Sequence, residues 1–125
     1  MKEALLSAAL EARENAYAPY SDYKVGAAVL SESGSIYSGC NVENGVYTLG
    51  QCAERVAIQT MVASGETKIV ALLLATENAD TPCGACRQVI SEFADSHTPI
   101  YIADQNGIVE ETTVGALLPK AFKLR

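Results

Sequence analysis

The chain of 125 residues carries 15 Asp and Glu against nine Lys and Arg, a formal net charge of −6 at pH 7. This length predicts one domain, residues 1–125, whose core is large enough to need no disulfide staples. The acidic balance argues against a nucleic-acid partner, because phosphate binding draws most of its energy from clustered Lys and Arg.

Apolar periodicity and turn residues predict helices alternating with strands along the chain. A helical pattern at the start stops before Pro19, and Gly34 marks a turn between two runs rich in Val, Ile and Tyr. The predicted elements are a helix over 2–16, strands over 23–31 and 35–43, a helix from 52 that ends at Gly65, a strand over 69–75, a helix over 83–95, strands over 100–103 and 108–111, and a short helix over 114–118.

This order of elements predicts an α/β fold, a three-layer α/β/α sandwich around a mixed five-stranded sheet. The short, wholly apolar run 69–75 is typical of a central strand that is covered on both faces. Asn106-Gly107 between apolar runs is a hairpin signal, so we expect the last two strands to be antiparallel.

Neither a secretion signal nor a membrane span is expected. The N-terminal residues run straight into a charged amphipathic pattern, and the longest apolar run is far shorter than the roughly 20 residues that cross a bilayer as a helix. We therefore expect a cytoplasmic protein without a membrane partner. In a reducing compartment its four cysteines are expected to be thiols or metal ligands rather than disulfides.

The cysteines are spaced as ligands of one metal ion. Cys83 and Cys86 form a C-x-x-C step at a predicted helix start, and Cys52 stands at the start of another helix. Three protein ligands leave one coordination position open, which is the mark of a catalytic zinc site. Glu54 lies two residues after Cys52, where it could reach a water at the open position without binding the metal.

Other interpretations of these cysteines remain open at this point. Cys83 and Cys86 alone also fit a thioredoxin-like dithiol, although such an enzyme has no use for Cys52 with Glu54. A structural zinc would need a fourth ligand, for which Cys40 is the candidate, but a small core residue on a strand is the simpler interpretation. His97, the single histidine, is assigned no role.

H-x-E followed by P-C-x-x-C, or a variant with three cysteines, is the signature of zinc-dependent nucleobase deaminases. This sequence has the three-cysteine form. More closely, the chain resembles the small homotetrameric cytidine deaminases over nearly its whole length. The matching stretches are Tyr17-Ala-Pro-Tyr-Ser, Lys24-Val-Gly-Ala-Ala, Gly39-Cys-Asn-Val-Glu-Asn, Cys52-Ala-Glu-Arg, Pro82-Cys-Gly-Ala-Cys-Arg-Gln and Leu117-Leu-Pro-Lys-Ala-Phe122.

The resemblance implies a homotetrameric enzyme of pyrimidine salvage that converts cytidine and 2′-deoxycytidine to the uridines and ammonia. It implies one Zn²⁺ per subunit, held by Cys52, Cys83 and Cys86, with hydroxide on the zinc attacking C4 of the base. Glu54 is implied as the shuttle that moves protons from the water to N3 and to the departing ammonia.

The same resemblance assigns the substrate contacts. Asn41 and Glu43 match a pair that binds the sugar hydroxyl, and Tyr23 stands where an aromatic ring, usually Phe, flanks the nucleoside. The remaining contacts are the backbone of Ala53 and the carbonyls of Thr81 and Pro82 at the base edge, Tyr47 contributed by a neighbouring subunit, and Phe122 closing a pocket in the tetramer.

Three thiolates around Zn²⁺ leave a net negative site that needs compensation. Helix N-termini supply part of it, and Arg55 is expected to donate N–H groups to the sulfurs, with Arg87 and Gln88 as further donors.

Two departures from the family affect the substrate region. The loop 45–51 differs in sequence, so a modified cytosine nucleoside such as blasticidin S stays an alternative substrate, and the short segment 76–82 predicts a more open loop over the base.

Overall fold

A computed structural model of the chain describes residues 1–124. The chain forms five strands and four helices, and a short 3₁₀ turn at Tyr47–Leu49 lies inside the loop 45–51. The elements are α1 (Lys2–Glu14), β1 (Gly26–Ser31), β2 (Ile36–Cys40), α2 (Ala53–Ala63), β3 (Ile69–Ala75), α3 (Gly84–Phe93), β4 (Pro99–Asp104), β5 (Gly107–Thr113) and α4 (Val114–Leu117).

The strands form one mixed sheet in the order β2-β1-β3-β4-β5. Only β3 and β4 are parallel among these pairs, and helix α3 makes the crossover between them. Strands β4 and β5 are antiparallel and turn at Asn106-Gly107, with Asp104 paired to Gly107. The predicted mixed five-stranded sheet and its last hairpin are therefore confirmed.

Helices cover both faces of the sheet, which confirms the three-layer arrangement. On one face, Leu5 and Ala9 of α1 pack in a cluster with Leu73 of β3. On the other face, Ile58 of α2 and Ile90 of α3 pack with residues of β1, β3 and β4. Strand β3 alternates between the two clusters and is buried over nearly its whole length, as its apolar run predicts.

The first hairpin is shorter than predicted at its open end. Strand β1 begins at Gly26 rather than at residue 23, and β2 ends at Cys40 rather than at 43. Beyond this point one backbone bond remains, from the Asn41 N–H to the Val25 carbonyl at 3.2 Å. The Asn41 side chain takes over from there, accepting from the Val25 N–H at 2.9 Å and donating to the Tyr23 carbonyl at 2.8 Å. The two segments thus diverge from the sheet and become the walls of a cavity.

Helix boundaries differ by one or two residues from the sequence expectation. Helix α1 ends at Glu14 rather than at residue 16, and Tyr17 N–H donates instead to the carbonyl of Asn41. Helix α3 covers Gly84–Phe93 rather than 83–95. Over residues 1–124, none of the helices has the length and apolarity that spanning a membrane requires.

Candidate active site

Three cysteine sulfurs converge where helices α2 and α3 begin. Cys52 and Cys83 are the residues immediately before the first turns of the two helices, and Cys86 is buried in the first turn of α3. The three Sγ atoms lie within 4.8 Å of one another. The Cys86 N–H donates to the Cys83 Sγ at 3.4 Å. The predicted juxtaposition of Cys52 with the C-x-x-C step is present in the fold.

This donor set fits a single zinc ion. Thiolates are preferred zinc ligands, and the amides at both helix starts offer positive dipole ends to a negative cluster. A hydrogen bond from Cys86, together with the charge of Arg55, lowers the pKa of Cys52 to about 6. Donating that bond, and burial, raise the pKa of Cys86. Cys40 stays apart from this group, on strand β2.

Glu54 is buried beside the cysteine cluster. Its side chain is 4% exposed and lies on the first turn of α2, two residues after Cys52. Burial, together with the negative charge of Cys52, raises the pKa of Glu54 to about 7. A carboxyl group with a pKa near neutrality can both accept and donate a proton, which is what general acid–base chemistry at physiological pH requires.

The hydrogen-bond donors near the cluster divide into two groups. The pKa of Arg55 is raised, chiefly by its polar contact with Cys86, and its buried Nε has no hydrogen-bond partner within the part of the chain described. Arg87 and Gln88 differ from the expectation that they serve the thiolates. Arg87 donates to Pro82 O, Thr81 Oγ1 and the Leu117 carbonyl, and Gln88 donates to the carbonyl of Phe122. These two side chains tie α3 to the C-terminal segment.

A cavity of about 620 Å³ opens onto the cluster. This volume is in the usual range for small-molecule sites. Among the described residues, no Lys, Arg or His lines it, whereas three carboxylates do. Its lining includes most of the predicted site, namely Tyr23, Asn41, Glu43, Tyr47, Cys52, Ala53, Glu54, Thr81 and Cys83, and also Tyr20, Ser21, Gln51, Thr76 and Asp80.

Asn41 and Glu43 line the cavity, and both side chains are held by contacts with backbone atoms. Glu43 Oε1 accepts from the N–H groups of Tyr20 and Ser21 at 2.9 and 3.2 Å, and its Oε2 accepts from the Ser21 hydroxyl. The Ser21 hydrogen bond lowers the pKa of Glu43, so the side chain is a carboxylate. Asn41 retains one amide hydrogen and each side chain retains acceptor lone pairs that a ligand hydroxyl could use.

The aromatic residues occupy two different environments. The Tyr23 hydroxyl donates to Asp80 Oδ2, and burial followed by this hydrogen bond raises the pKa of Tyr23. Tyr47 is 81% exposed at the cavity rim, with its ring edge-on to Tyr20 at 6.2 Å between centroids. Phe122 is 67% exposed and is not part of the cavity lining in its own chain.

Sequence reasoning assigned no role to five polar residues of the lining, which are Ser21, Asn44, Gln51, Thr76 and Asp80. Gln51 has a buried Oε1 atom without a hydrogen-bond partner in the described residues, and its backbone pairs with Val42. Asp80 meets Tyr23, a residue 57 positions away in the chain. The one available signal was the position of Asp80, shortly before Cys83, because residues that flank a ligand motif fold close to the site.

Comparison with known proteins gives a consistent result. Residues 1–102 match the family model of the cytidine and deoxycytidylate deaminase zinc-binding region. The chain is 49% identical over 122 residues to a cytidine deaminase of Sporosarcina psychrophila, covering 96% of this chain and 90% of that protein. It is 42% identical over 123 residues to a cytidine deaminase of Halalkalibacterium halodurans, covering 97% and 93%. The crystal structure of cytidine deaminase from Burkholderia pseudomallei superposes with a TM-score of 0.92 at 43% identity, covering 98% of this chain and 99% of that one.

Proposed function

Because the chain belongs to the zinc-dependent cytidine deaminase family, we propose that it hydrolyses cytidine and 2′-deoxycytidine to uridine and 2′-deoxyuridine, with release of ammonia, as a step of pyrimidine salvage. The observation that carries the proposal is the buried Glu54 beside three converging cysteine sulfurs on one cavity wall. A cytoplasmic location is part of the proposal, since cysteine ligands remain reduced there.

Cys52, Cys83 and Cys86 would hold the ion in this proposal, and zinc, when bound, supplies the Lewis acidity that activates water near neutral pH. Glu54 accepts a proton from the water that attacks C4 of the pyrimidine. It then delivers a proton to ring nitrogen N3 and assists the departure of ammonia from C4. The raised pKa of Glu54, about 7, supports both directions of transfer.

Substrate binding is assigned to the other walls of the cavity. Asn41 and Glu43 bind a sugar hydroxyl through the acceptor and donor atoms that their backbone contacts leave free. The Tyr23 ring flanks the base. The backbone of Ala53, at the start of α2, and the carbonyl of Thr81 read the base edge, as the family resemblance implies. Pro82, the other predicted contact, is buried outside the cavity lining, and its carbonyl accepts from Arg87.

The charge of the cavity favours a neutral nucleoside. Three carboxylates, Glu43, Glu54 and Asp80, line it, and within residues 1–124 no cationic side chain does. A nucleoside 5′-phosphate would bring a further negative charge into this region, where like charges repel. The same argument disfavours a nucleic-acid substrate, whose phosphates are normally bound by Lys and Arg.

The proposal includes a homotetramer in which subunits share their pockets, with residues 1–125 forming one domain of each. Tyr47 and Phe122 are the candidates for shared residues, since both are large apolar side chains that are mostly exposed in the single chain. Exposed apolar groups of this size are common at protein interfaces.

The test is to incubate the purified zinc-loaded protein with cytidine, 2′-deoxycytidine, cytosine, cytidine 5′-monophosphate and a blasticidin-type nucleoside, and to follow the ultraviolet absorbance of each. We expect loss of absorbance with the two plain nucleosides, and much slower change with the phosphate. No change with either plain nucleoside would contradict the proposed function. Turnover of the blasticidin-type nucleoside alone would mean that the proposed substrates are wrong and that the proposed reaction, hydrolytic deamination, is right.

A further inference from the structure

We propose that Asp80 is a positioning residue that holds the Tyr23 ring in place as a wall of the substrate cavity, an inference that rests on the proposed function. The two residues belong to different segments, since Tyr23 precedes β1 and Asp80 follows β3. The Tyr23 hydroxyl donates to Asp80 Oδ2, and both residues line the cavity. The hydrogen bond therefore joins two walls that the chain itself does not connect.

The backbone on each side of this bridge adopts an unfavourable conformation. Asp22, immediately before Tyr23, has φ +56°, and Ala79, immediately before Asp80, has φ +55°. Residues other than glycine rarely occupy this left-handed region, and an alanine has no side-chain polar group to compensate. Such conformations persist where the surrounding contacts determine them, and they concentrate at ligand sites.

The contacts that determine them hold both backbones near the bridge. Tyr23 N–H donates to Ser21 Oγ at 3.1 Å, and the Tyr23 carbonyl accepts from Asn41 Nδ2 at 2.8 Å. Asp80 N–H donates to Thr76 Oγ1 at 2.7 Å, and Thr76 is 3% exposed. With the two backbones fixed, rotation of the Tyr23 side chain about its Cα–Cβ bond is the remaining freedom, and the hydroxyl bond to Asp80 restrains it.

The consequence concerns substrate binding more than the chemical step. A ring held in one orientation before the substrate arrives does not lose that freedom on binding, so preorganisation lowers KM. The cysteine cluster and Glu54 belong to the helix starts and make no hydrogen bond to this pair in the structure over residues 1–124. We therefore expect KM to respond to loss of the bridge while kcat stays nearly constant.

The experiment is a double-mutant cycle on the zinc-loaded protein with Tyr23→Phe, Asp80→Ala and the combination, assayed for kcat and KM with cytidine. Tyr37→Phe is the matched control, because its hydroxyl also donates to a carboxylate, Glu66, at 2.7 Å, but outside the cavity. Asp80→Asn keeps an acceptor oxygen at the same place. Zinc content and melting temperature are measured for every variant, so that a folding defect is recognised.

We expect each single variant to raise KM by roughly three- to tenfold, which corresponds to the loss of one typical hydrogen bond. The double variant should be no worse than either single one, because both remove the same bond. Asp80→Asn should have a KM close to that of the parent, unlike Asp80→Ala. Tyr37→Phe should lower the melting temperature and leave KM unchanged.

Three results would overturn the inference. KM unchanged in both single variants, KM effects that multiply in the double variant, or a fall in kcat at constant KM would each show that the two residues do not act through this bond. Failure of the proposed function is recognised separately, by assaying the unsubstituted protein. If that protein turns over neither cytidine nor deoxycytidine, the proposed function is wrong and the inference falls with it.

Discussion

Gly39 of strand β2 and Ala57 of helix α2 approach so closely that a Cβ atom at residue 39 would stand 2.5 Å from the backbone nitrogen of Ala57. The same Cβ atom would stand 2.9 Å from the carbonyl oxygen of Ala53, which begins the helix. The absence of a side chain at Gly39 therefore sets the distance between the sheet and the helix that presents Cys52 and Glu54.

Gly39→Ala is expected to destabilise the protein by about 1–3 kcal/mol, the usual cost of overpacking, because both neighbours are backbone atoms that cannot rotate away. Urea unfolding measures the change. Gly84→Ala is the matched control, since nothing lies within 4 Å of its Cβ position. Equal stability of the two alanine variants would contradict the prediction.

Glu54→Gln should reduce the turnover of cytidine by about 10²- to 10⁴-fold, the usual contribution of a positioned acid and base. The amide has nearly the same shape but cannot carry protons, so zinc content and melting temperature should stay close to those of the parent. Glu77→Gln, at an exposed residue outside the main cavity, is the control. Activity retained in Glu54→Gln would remove this residue from the mechanism.

Arg55→Ala should lower zinc retention or turnover by roughly tenfold, because it removes the cation nearest the thiolates. Zinc content after dialysis and the rate with cytidine are the two measurements. Arg13→Ala serves as the control, since that arginine bonds the Lys24 carbonyl instead. Zinc content and rate both equal to those of the parent would exclude a role for Arg55 in the site.

A pH-dependent contribution to stability is expected from Glu66, which accepts hydrogen bonds from Tyr37, Ser33 and Ser31. The Tyr37 bond is the main reason why the pKa of Glu66 falls below its usual 4.5. A lowered pKa means that the carboxylate stabilises the fold above pH 4.5 and that this stabilisation is lost as the pH falls through the folded value.

Melting temperatures of the parent and of Glu66→Gln, measured from pH 7 downwards, test this expectation. The advantage of the parent should be largest near neutrality and should shrink below about pH 4.5, because the parent then also carries an uncharged group. A difference that stays constant across this range would mean that the charge of Glu66 makes no contribution.

Sedimentation should give about four times 13.2 kDa for the zinc-loaded protein. Phe122→Ser should shift the distribution to smaller species and lower activity at the same time, because subunits that share pockets lose both together. Val109→Ser is the control, at an exposed apolar residue of strand β5 outside the cavity. An active, stable monomer would rule out Tyr47 and Phe122 as shared residues.

Much of the fold is readable from local patterns. The apolar run 69–75 marks the central strand and Asn106-Gly107 marks the last hairpin, since burial and turn chemistry act on neighbouring residues. The start of β1 and the end of β2 are harder to predict, because residues 23–25 and 41–43 continue the strand-like pattern of their neighbours. Their departure from the ladder depends on the Asn41 side chain, whose partners lie 16 and 18 residues away.

The candidate site divides in the same way. Cys52, Cys83 and Cys86 can be grouped from spacing, because the ligand chemistry demands few residue types. The hydrogen bond from Tyr23 to Asp80 cannot be predicted from spacing, since it depends on how the loop after β3 folds against the segment before β1. The partners of Arg87 could not be predicted either, because one of its three acceptors is the carbonyl of Leu117, 30 residues away in the chain.

The cysteine cluster also has a consequence for folding. Helix α2 and the buried strand β3 lie entirely between Cys52 and Cys83 in the sequence. An ion held by these cysteines would close that stretch into a loop, which removes conformational entropy from the unfolded chain and adds the binding energy to the free energy of unfolding. Catalytic competence and the cooperativity of the central core would then be lost together when a chelator competes for the metal.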